Sequence, residues 1–202
     1  MTVTHLFFDI GGVLGSNGWD REQRSSAARH FGLQVAELGE PHDGVVATLE
    51  EGRISLEEYL RATVFAQPRP FTLADFRDFM LAQSVPFPAT IDLARALART
   101  GRYRLMTINN ESAELNQHRL ELFGLRGLFE TFFSSCWLGV LKPVRRIYQL
   151  ALAMSQAEPG RSVFIDDRVE NLKPARTLGM QAIHYTNASL LERQLAELGV
   201  SP

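Results

Sequence analysis

The chain has 202 residues, of which 45% are hydrophobic, enough for one full-sized core or for one core with a small accessory domain. Its 21 basic and 23 acidic residues give a formal net charge of −2 and form no long runs, which excludes the electrostatic signature of a nucleic-acid or anionic-membrane partner. No apolar stretch approaches the ~20 residues that cross a bilayer, so the composition favours a protein that acts on a small molecule.

The first predicted element is a strand in the run VTHLFF at residues 3–8. Its β-branched and aromatic residues are typical of a buried strand. The strand ends at Asp9, and the glycines of the following IGGVLG allow a tight turn where the chain leaves the sheet.

The next segment, residues 16–86, has helical periodicity in three stretches. They are DREQRSSAARHFGL, SLEEYLRATVFA and TLADFRDFMLAQ. Ser55 and Thr72 are predicted helix N-caps, and Glu58 stands three positions after Ser55 at capping-box spacing. Because no strand pattern interrupts the segment and two prolines in VPFPAT close it, we expect a small all-helical domain over 16–86.

Strand-like and helix-like segments alternate beyond this point. The predicted helices are 89–100, 112–123, 144–155 and 169–178, and the predicted strands are 103–108, 131–135, 162–165 and 180–184. This alternation predicts an α/β fold with a Rossmann-like parallel sheet and helices on both faces. The predicted core domain comprises 1–15 and 87–202, and such sheets bind ligands at the carboxyl ends of their strands.

Polar residues stand at four predicted strand ends: Asp9, Asn109-Asn110, Lys142 and Asp166-Asp167. Each alone is more typical of a turn or a helix cap, and Lys142 alone of a solvated surface. Asp166-Asp167 in particular also fits an acidic cap for the helix from Val169. Since the carboxyl ends of parallel strands share one edge, we expect the four positions to converge.

The chemistry of these groups fits phosphoryl transfer. An aspartate such as Asp9 is ionised at neutral pH and can form an acyl phosphate that water then hydrolyses. Three carboxylates in one pocket repel each other and drive at least one pKa upward unless a cation lies among them. The residues therefore predict bound Mg²⁺, which prefers oxygen ligands, with Lys142 as a positive charge for the phosphate.

The order of motifs resembles the haloacid dehalogenase-like (HAD) hydrolase superfamily over essentially the whole chain. The motifs are FFDIGGVL, LMTINNES, GVLKP and VFIDDRVENLKPARTLGM. The resemblance implies that the helical segment is that family's small cap. The segment LEEGRISLEEYL looks like cap sequence of the branch that hydrolyses sugar phosphates and similar phosphomonoesters.

The resemblance also implies roles for single residues. Asp9 would be nucleophile and metal ligand, Asp167 would ligate Mg²⁺ directly, and Asp166 would act through ligand or water contacts. The other implied roles are phosphate binding by Asn109, Asn110, Gly12 and Lys142, a backbone carbonyl ligand from Gly11, and orientation of Lys142 by Asn171.

Two positions depart from the family pattern. Gly11 stands where the family has a second aspartate as general acid and base, whose help is worth ~10²–10⁴-fold, so we expect slow turnover or substrates with good leaving groups. Ile108 stands where a serine or threonine is usual, and Thr107 would point to the opposite strand face. The candidates for the missing phosphate hydrogen bond are Asn110, Glu111, Ser16, Asn17 and Asp20.

Trp19 is an open candidate for substrate contact and His42 a weak candidate acid, whereas the phenylalanines are typical of packing. The single Cys136 cannot form an internal disulfide and lacks a basic neighbour that would lower its pKa. Without a secretion signal at its start, the chain is predicted to be cytoplasmic.

The leading hypothesis is a Mg²⁺-dependent phosphatase acting on a small phosphomonoester, without a nucleic-acid or membrane partner. The alternative, suggested by Gly11 and Ile108, is a catalytically weak domain that binds a phosphorylated ligand or a protein. A phospho-acceptor signalling domain ranks far lower. In such domains the acidic pair precedes the acceptor aspartate in sequence, whereas here Asp166-Asp167 follows Asp9. Neither the substrate nor the oligomeric state follows from the sequence.

Overall fold

The computed structural model describes residues 2–202, so Met1, where the predicted core domain begins, lies outside the described residues. The strands form one parallel sheet in the order β3-β2-β1-β4-β5. They are β1 (His5–Phe8), β2 (Arg104–Asn109), β3 (Thr131–Ser134), β4 (Ser162–Asp166) and β5 (Gln181–His184). Because β1 lies at the centre, Asp9 directly after it is placed between the ends of β2 and β4.

Helices connect the strands and pack on both faces of the sheet, as predicted. They are α1 (Arg21–Phe31), α2 (Val35–Glu50), α3 (Leu56–Thr63), α4 (Leu73–Ala82), α5 (Pro88–Arg99), α6 (Ala113–Leu122), α7 (Ser135–Leu138), α8 (Arg145–Ser155), α9 (Val169–Thr177) and α10 (Ala188–Glu197). Leu6 and Phe8 face α5, α6 and α10, whereas Phe7 and Phe164 face α8 and α9. The alternating directions of strand side chains thus bury both faces.

The helices α1–α4 pack around a third apolar cluster, to which Leu115 of α6 also contributes. Ser55 and Thr72 cap α3 and α4 as predicted, and both form capping boxes, with Glu58 and Asp75 respectively. The boundaries of a separate helical domain at 16–86 stay a prediction.

The sequence patterns do not predict three of the helices: α2, the short α7 and α10. Pro41 and two glycines lie inside α2 and weaken its helical signal, yet Leu38 and Leu49 bury one face of it. Helix α10 begins after Asn187, whose side chain accepts a hydrogen bond from the backbone N–H of Leu190. Within residues 2–202, no helix has both the length and the apolar character of a membrane span.

The prediction that Lys142 follows a strand is wrong. β3 ends at Ser134, and the short helix α7 and a loop lead from there to Lys142. Leu138 and Val140 pack against the cluster on the α8 face of the sheet. The apolar sequence before Lys142 therefore reflects a loop that covers the core.

Candidate active site

A cavity of about 400 Å³ lies where the carboxyl edge of the sheet meets the helices α1 and α2. The sheet side contributes Asp9, Gly11, Asn110, Lys142 and Asn171, and the helical side contributes Trp19, Arg24, His42 and Glu50. Residues from distant parts of the sequence thus converge at the edge of the sheet where the sequence predicts a site.

Lys142 lies at the centre of the charged groups. Its Nζ is 2.8 Å from Asp9 Oδ2 and 2.6 Å from Asp166 Oδ2, and only 5% of the residue is exposed. Lys142 is therefore a fixed, buried cation and not a solvated surface lysine.

Asp166 is held by several donors in addition to Lys142. Its Oδ1 accepts hydrogen bonds from the backbone N–H of Arg168 at 2.8 Å and from Asn171 Nδ2 at 3.0 Å. Asn171 Nδ2 also lies 3.1 Å from Asp166 Oδ2. Asn171 thus contacts Asp166, which pairs with Lys142, and makes no direct hydrogen bond to Lys142 within residues 2–202.

The two predicted phosphate-binding asparagines have different surroundings. Asn110 lines the cavity, and its side chain exchanges two hydrogen bonds with the backbone of Lys142. Asn109 is 1% exposed and is not among the residues that line this cavity. Its amide donates to Asn116 and accepts from Ser134, so both ends of the Asn109 side chain are occupied within the protein.

The carboxylates of the site repel each other, as expected. Burial raises the pKa of Asp9 to about 7, against the opposing effect of Lys142 and with a further upward contribution from Asp166. Burial and the Asp166 charge also raise the pKa of Asp167. Burial alone would lower the pKa of Lys142, but Asp9 and Asp166 outweigh it and raise that pKa.

The donor set fits a divalent cation. Asp9, Asp166 and Asp167 each offer an oxygen atom within 4.8 Å of the others. Oδ1 of Asp167 is buried and has no hydrogen-bond partner among residues 2–202, which leaves an oxygen for a metal. A cluster of carboxylate oxygens is the ligand chemistry that Mg²⁺ prefers.

Gly12 makes room for this cluster. Its φ is +73°, and a Cβ at this position would lie 2.3 Å from Oδ2 of Asp167. A glycine is therefore required here both by the backbone conformation and by the approach of the carboxylate.

The two departures from the family pattern have different surroundings, because Gly11 lines the cavity and Ile108 lies in the core. A Cβ on Gly11 would approach Asn17 Oδ1 at 3.4 Å and Arg119 Nη1 at 3.7 Å, so these polar groups border the place of the missing carboxylate. Ile108 belongs to the apolar cluster on the α8 face. Thr107 pairs in register with Phe8 and thus points away from Ile108.

The candidates for the missing phosphate contact differ in what already binds them. Ser16 bonds to the backbone of Gln83 and Val85, Asp20 caps α1 and pairs with Arg168, and Glu111 pairs with Arg119. Asn17 lines the cavity, and its side chain makes no hydrogen bond within residues 2–202. Among these candidates, Asn17 is thus the side chain available to a ligand.

His42 is not suited to act as an acid. Arginine only donates hydrogen bonds, so the 2.9 Å contact with Arg24 Nη1 makes Nε2 of His42 an acceptor and places its proton on Nδ1, 2.8 Å from the Tyr59 hydroxyl. Burial, reinforced by Arg24, lowers the pKa of His42 to about 4. The neutral ring therefore has no proton to offer the cavity.

Trp19 borders the cavity, but its indole N–H donates to Tyr59 Oη at 2.9 Å, and its ring packs edge-on against Phe76. Substrate contact by Trp19 stays a prediction. Cys136 is half-buried, and burial raises the pKa of its thiol to about 12, which agrees with an unreactive cysteine.

Sequence reasoning missed several charged residues of the cavity. They are Arg24, Glu50, Arg119 and Arg168. Arg119 is almost fully buried, donates to the Ser16 carbonyl and pairs with Glu111 at 3.3 Å. Arg168 stands inside the last of the four motifs, directly after Asp167. No spacing rule connects the other three to the motifs, because folding alone brings their elements together.

Comparison with known proteins places these features in a family. The sequence pattern of the haloacid dehalogenase-like hydrolases matches residues 3–179. "Bifunctional epoxide hydrolase 2" of Sus scrofa is 26% identical over 98% of this chain, but the alignment covers 39% of that protein. The chain thus spans about two fifths of the length of this relative.

Other relatives match over most of their own length. "Glyceraldehyde 3-phosphate phosphatase" of Methanothermobacter thermautotrophicus is 30% identical, with 94% of this chain and 88% of that protein covered. A HAD family enzyme from Bacteroides thetaiotaomicron, solved in complex with magnesium and inorganic phosphate, has a TM-score of 0.79 at 22% identity, covering 94% of this chain and 98% of that one. This structural likeness shows that the two chains share a fold.

Proposed function

The chain belongs to the haloacid dehalogenase-like hydrolases, and we propose that it is a Mg²⁺-dependent phosphatase that hydrolyses a small phosphomonoester, such as a sugar phosphate, through an aspartyl-phosphate on Asp9. The observation that carries this proposal is the contact of the Asp9 carboxylate with the Lys142 ammonium at 2.8 Å, beside Asp166 and Asp167. This arrangement offers a nucleophile and a cation at the cavity, with metal-binding oxygens next to the nucleophile.

In the proposed reaction, an oxygen of Asp9 attacks phosphorus and the bond to the ester oxygen breaks. Lys142 lies where its charge attracts the phosphoryl oxygens, and Asn110 fixes the backbone of Lys142. Preorganised positive charge of this kind stabilises the transition state without reorganisation during the reaction. Water then hydrolyses the aspartyl-phosphate and releases inorganic phosphate.

Asp9, Asp167 and the Gly11 carbonyl would hold Mg²⁺, with Asp166 acting through ligand or water contacts. When bound, the ion would screen the negative charges of carboxylates and phosphate from each other. The phosphatase from Methanothermobacter and the magnesium and phosphate in the Bacteroides enzyme support this proposal by similarity.

The substrate class rests on the lining of the cavity. Arg24, Arg119 and Arg168 surround it together with several carboxylates, a set that suits a polar, hydroxyl-bearing leaving group better than an apolar one. The cytoplasmic location stays a prediction.

The test is a panel of sugar phosphates, nucleotides and phosphorylated acids, with p-nitrophenyl phosphate as a general probe, each with Mg²⁺ and with chelator. We expect phosphate release that requires Mg²⁺ and is abolished in Asp9→Asn, which keeps the size of the side chain but removes the nucleophilic carboxylate. Undiminished activity of Asp9→Asn contradicts the covalent mechanism. Phosphate binding without turnover on any substrate would favour the alternative of a binding domain.

A further inference from the structure

The last residue of α2, Glu50, is fixed at the edge of the cavity. Its backbone carbonyl accepts a hydrogen bond of 2.7 Å from Ser135 Oγ, which also accepts one of 3.1 Å from the backbone N–H of Glu111. Two residues further on, a Cβ on Gly52 would lie 2.1 Å from the Cys136 carbonyl oxygen. The end of α2 is thus docked on the segment that follows β3, and Glu50 lines the cavity that contains Asp9 and Lys142.

The other carboxylates near Glu50 have partners. Asp20 accepts from the backbone N–H of Arg21 and pairs with Arg168 at 2.8 Å. Glu111 accepts from the backbone N–H of Ser112 and pairs with Arg119. Across residues 2–202, the carboxyl group of Glu50 has neither a hydrogen bond nor an ion pair, so it is available to a ligand.

The surroundings of Glu50 raise its pKa. Burial is the main cause, and the negative charges of Glu111 and Asp20 act in the same direction, against Arg168 and Lys142; together they raise the pKa of Glu50 to about 7. An ordinary glutamate is almost fully ionised at neutral pH. A proton donor works best when its pKa is near the working pH.

We propose that Glu50 is the general acid and base of the phosphatase reaction, in place of the carboxylate that Gly11 lacks. This inference rests on the proposed function. When Asp9 attacks phosphorus and the ester bond breaks, the Glu50 carboxyl gives its proton to the departing oxygen and becomes a carboxylate. That carboxylate then takes a proton from the water that attacks the aspartyl-phosphate, so Asp9, Glu50 and inorganic phosphate are regenerated together.

The test compares two leaving groups in wild-type and Glu50→Gln protein. Phenol is a much weaker acid than p-nitrophenol, so phenyl phosphate needs a proton donor to its leaving oxygen and p-nitrophenyl phosphate needs little help. We expect Glu50→Gln to reduce kcat/KM for phenyl phosphate by about 10²-fold or more, with a change of only a few fold for p-nitrophenyl phosphate. This constant reports the first phosphoryl transfer and is independent of later hydrolysis of the intermediate.

The matched control is Glu51→Gln. Glu51 is adjacent in sequence, pairs with Arg53 at 3.1 Å and is not among the residues that line the cavity. We expect Glu51→Gln to have wild-type kcat/KM for both esters. The ratio of the two constants is measured on one protein preparation, so partial misfolding lowers both and leaves the ratio unchanged.

A pH profile gives a second readout. The proton donor loses its proton as pH rises, so wild-type kcat/KM for phenyl phosphate should fall above about pH 7, the pKa of Glu50. This decline should be absent in Glu50→Gln and present in Glu51→Gln.

The outcomes separate the two proposals. If Glu50→Gln lowers kcat/KM equally for both esters, or lowers neither, the role of Glu50 is contradicted. Mg²⁺-dependent turnover by the wild type upholds the proposed phosphatase function in either case. No Mg²⁺-dependent turnover by the wild type on either ester or on the substrate panel overturns the proposed function and, with it, the role of Glu50.

Discussion

The side-chain amide of Asn110 binds both the backbone carbonyl and the backbone N–H of Lys142. Asn110 Nδ2 donates to the Lys142 carbonyl at 2.9 Å, and Asn110 Oδ1 accepts from the Lys142 N–H at 2.8 Å. Since Lys142 follows a loop and not a strand, sheet hydrogen bonds do not fix its position. Asn110 supplies that support from the end of β2.

We predict that Asn110→Ala lowers kcat/KM by about 10–100-fold, because a small displacement of a positioned group is costly in catalysis. Asn110→Asp keeps the acceptor for the Lys142 N–H but turns a carboxylate oxygen toward the Lys142 carbonyl, which repels it, so we expect a loss at least as large as in Asn110→Ala. Steady-state kinetics on p-nitrophenyl phosphate measures both. Wild-type constants in Asn110→Ala would show that the loop holds Lys142 without this side chain.

Gly12→Ala is expected to impair metal binding. The added Cβ would meet the Asp167 carboxylate at 2.3 Å, so Asp167 must move. The control is Gly101→Ala, because Gly101 has a similar φ of +65° and no atom within 4 Å of the added Cβ. Both variants should lose about 1 kcal/mol of unfolding free energy to backbone strain, but only Gly12→Ala should need more Mg²⁺ for half-maximal activity. Equal Mg²⁺ requirements in the two variants would contradict the role of Gly12.

Much of the fold follows from local patterns. The parallel sheet could be predicted because its strands are short apolar runs between helical segments, and the caps at Ser55 and Thr72 because their capping boxes lie within four residues of sequence. Helix α2 could not, because Pro41 and the glycines oppose its local propensity and tertiary packing of its apolar face decides the outcome.

The candidate site was predictable only in part, for a related reason. Asp9 directly follows β1 and Asp166 is the last residue of β4, so topology alone brings them to one edge. Glu50 reaches the cavity because Ser135 fixes the end of α2 on the core. Such contacts between distant segments leave no periodic signal in the sequence.

Lys142→Met is predicted to destabilise the protein in the absence of metal. The substitution leaves Asp9 and Asp166 buried without their cation, and breaking a buried ion pair in this way costs about 3–5 kcal/mol. Added Mg²⁺ should recover more unfolding free energy in this variant than in the wild type, because the ion would replace the lost charge.

Denaturant unfolding with chelator and with Mg²⁺ measures both effects of Lys142→Met. The control is Lys173→Met, since Lys173 is exposed and forms no ion pair within residues 2–202. This control variant should have the wild-type unfolding free energy in chelator and the wild-type gain on addition of Mg²⁺. A variant as stable as the wild type in chelator would contradict the compensating role of Lys142.

The His42 network predicts a dependence of stability on acid pH. The pKa of His42 is about 4 in the folded protein and about 6.5 in an unfolded chain, so between these values the unfolded chain binds more protons and the free energy of unfolding falls as pH falls. His42 makes its full contribution to the free energy of unfolding above pH 6.5. At most about 3 kcal/mol of that contribution is lost by pH 4. His42→Gln does not titrate, but its amide can still accept from Arg24 and donate to Tyr59. We therefore expect the unfolding free energy of His42→Gln to decline less steeply than that of the wild type between pH 6.5 and 4 in denaturant titrations, whereas parallel curves would mean that His42 becomes protonated in the folded state without cost.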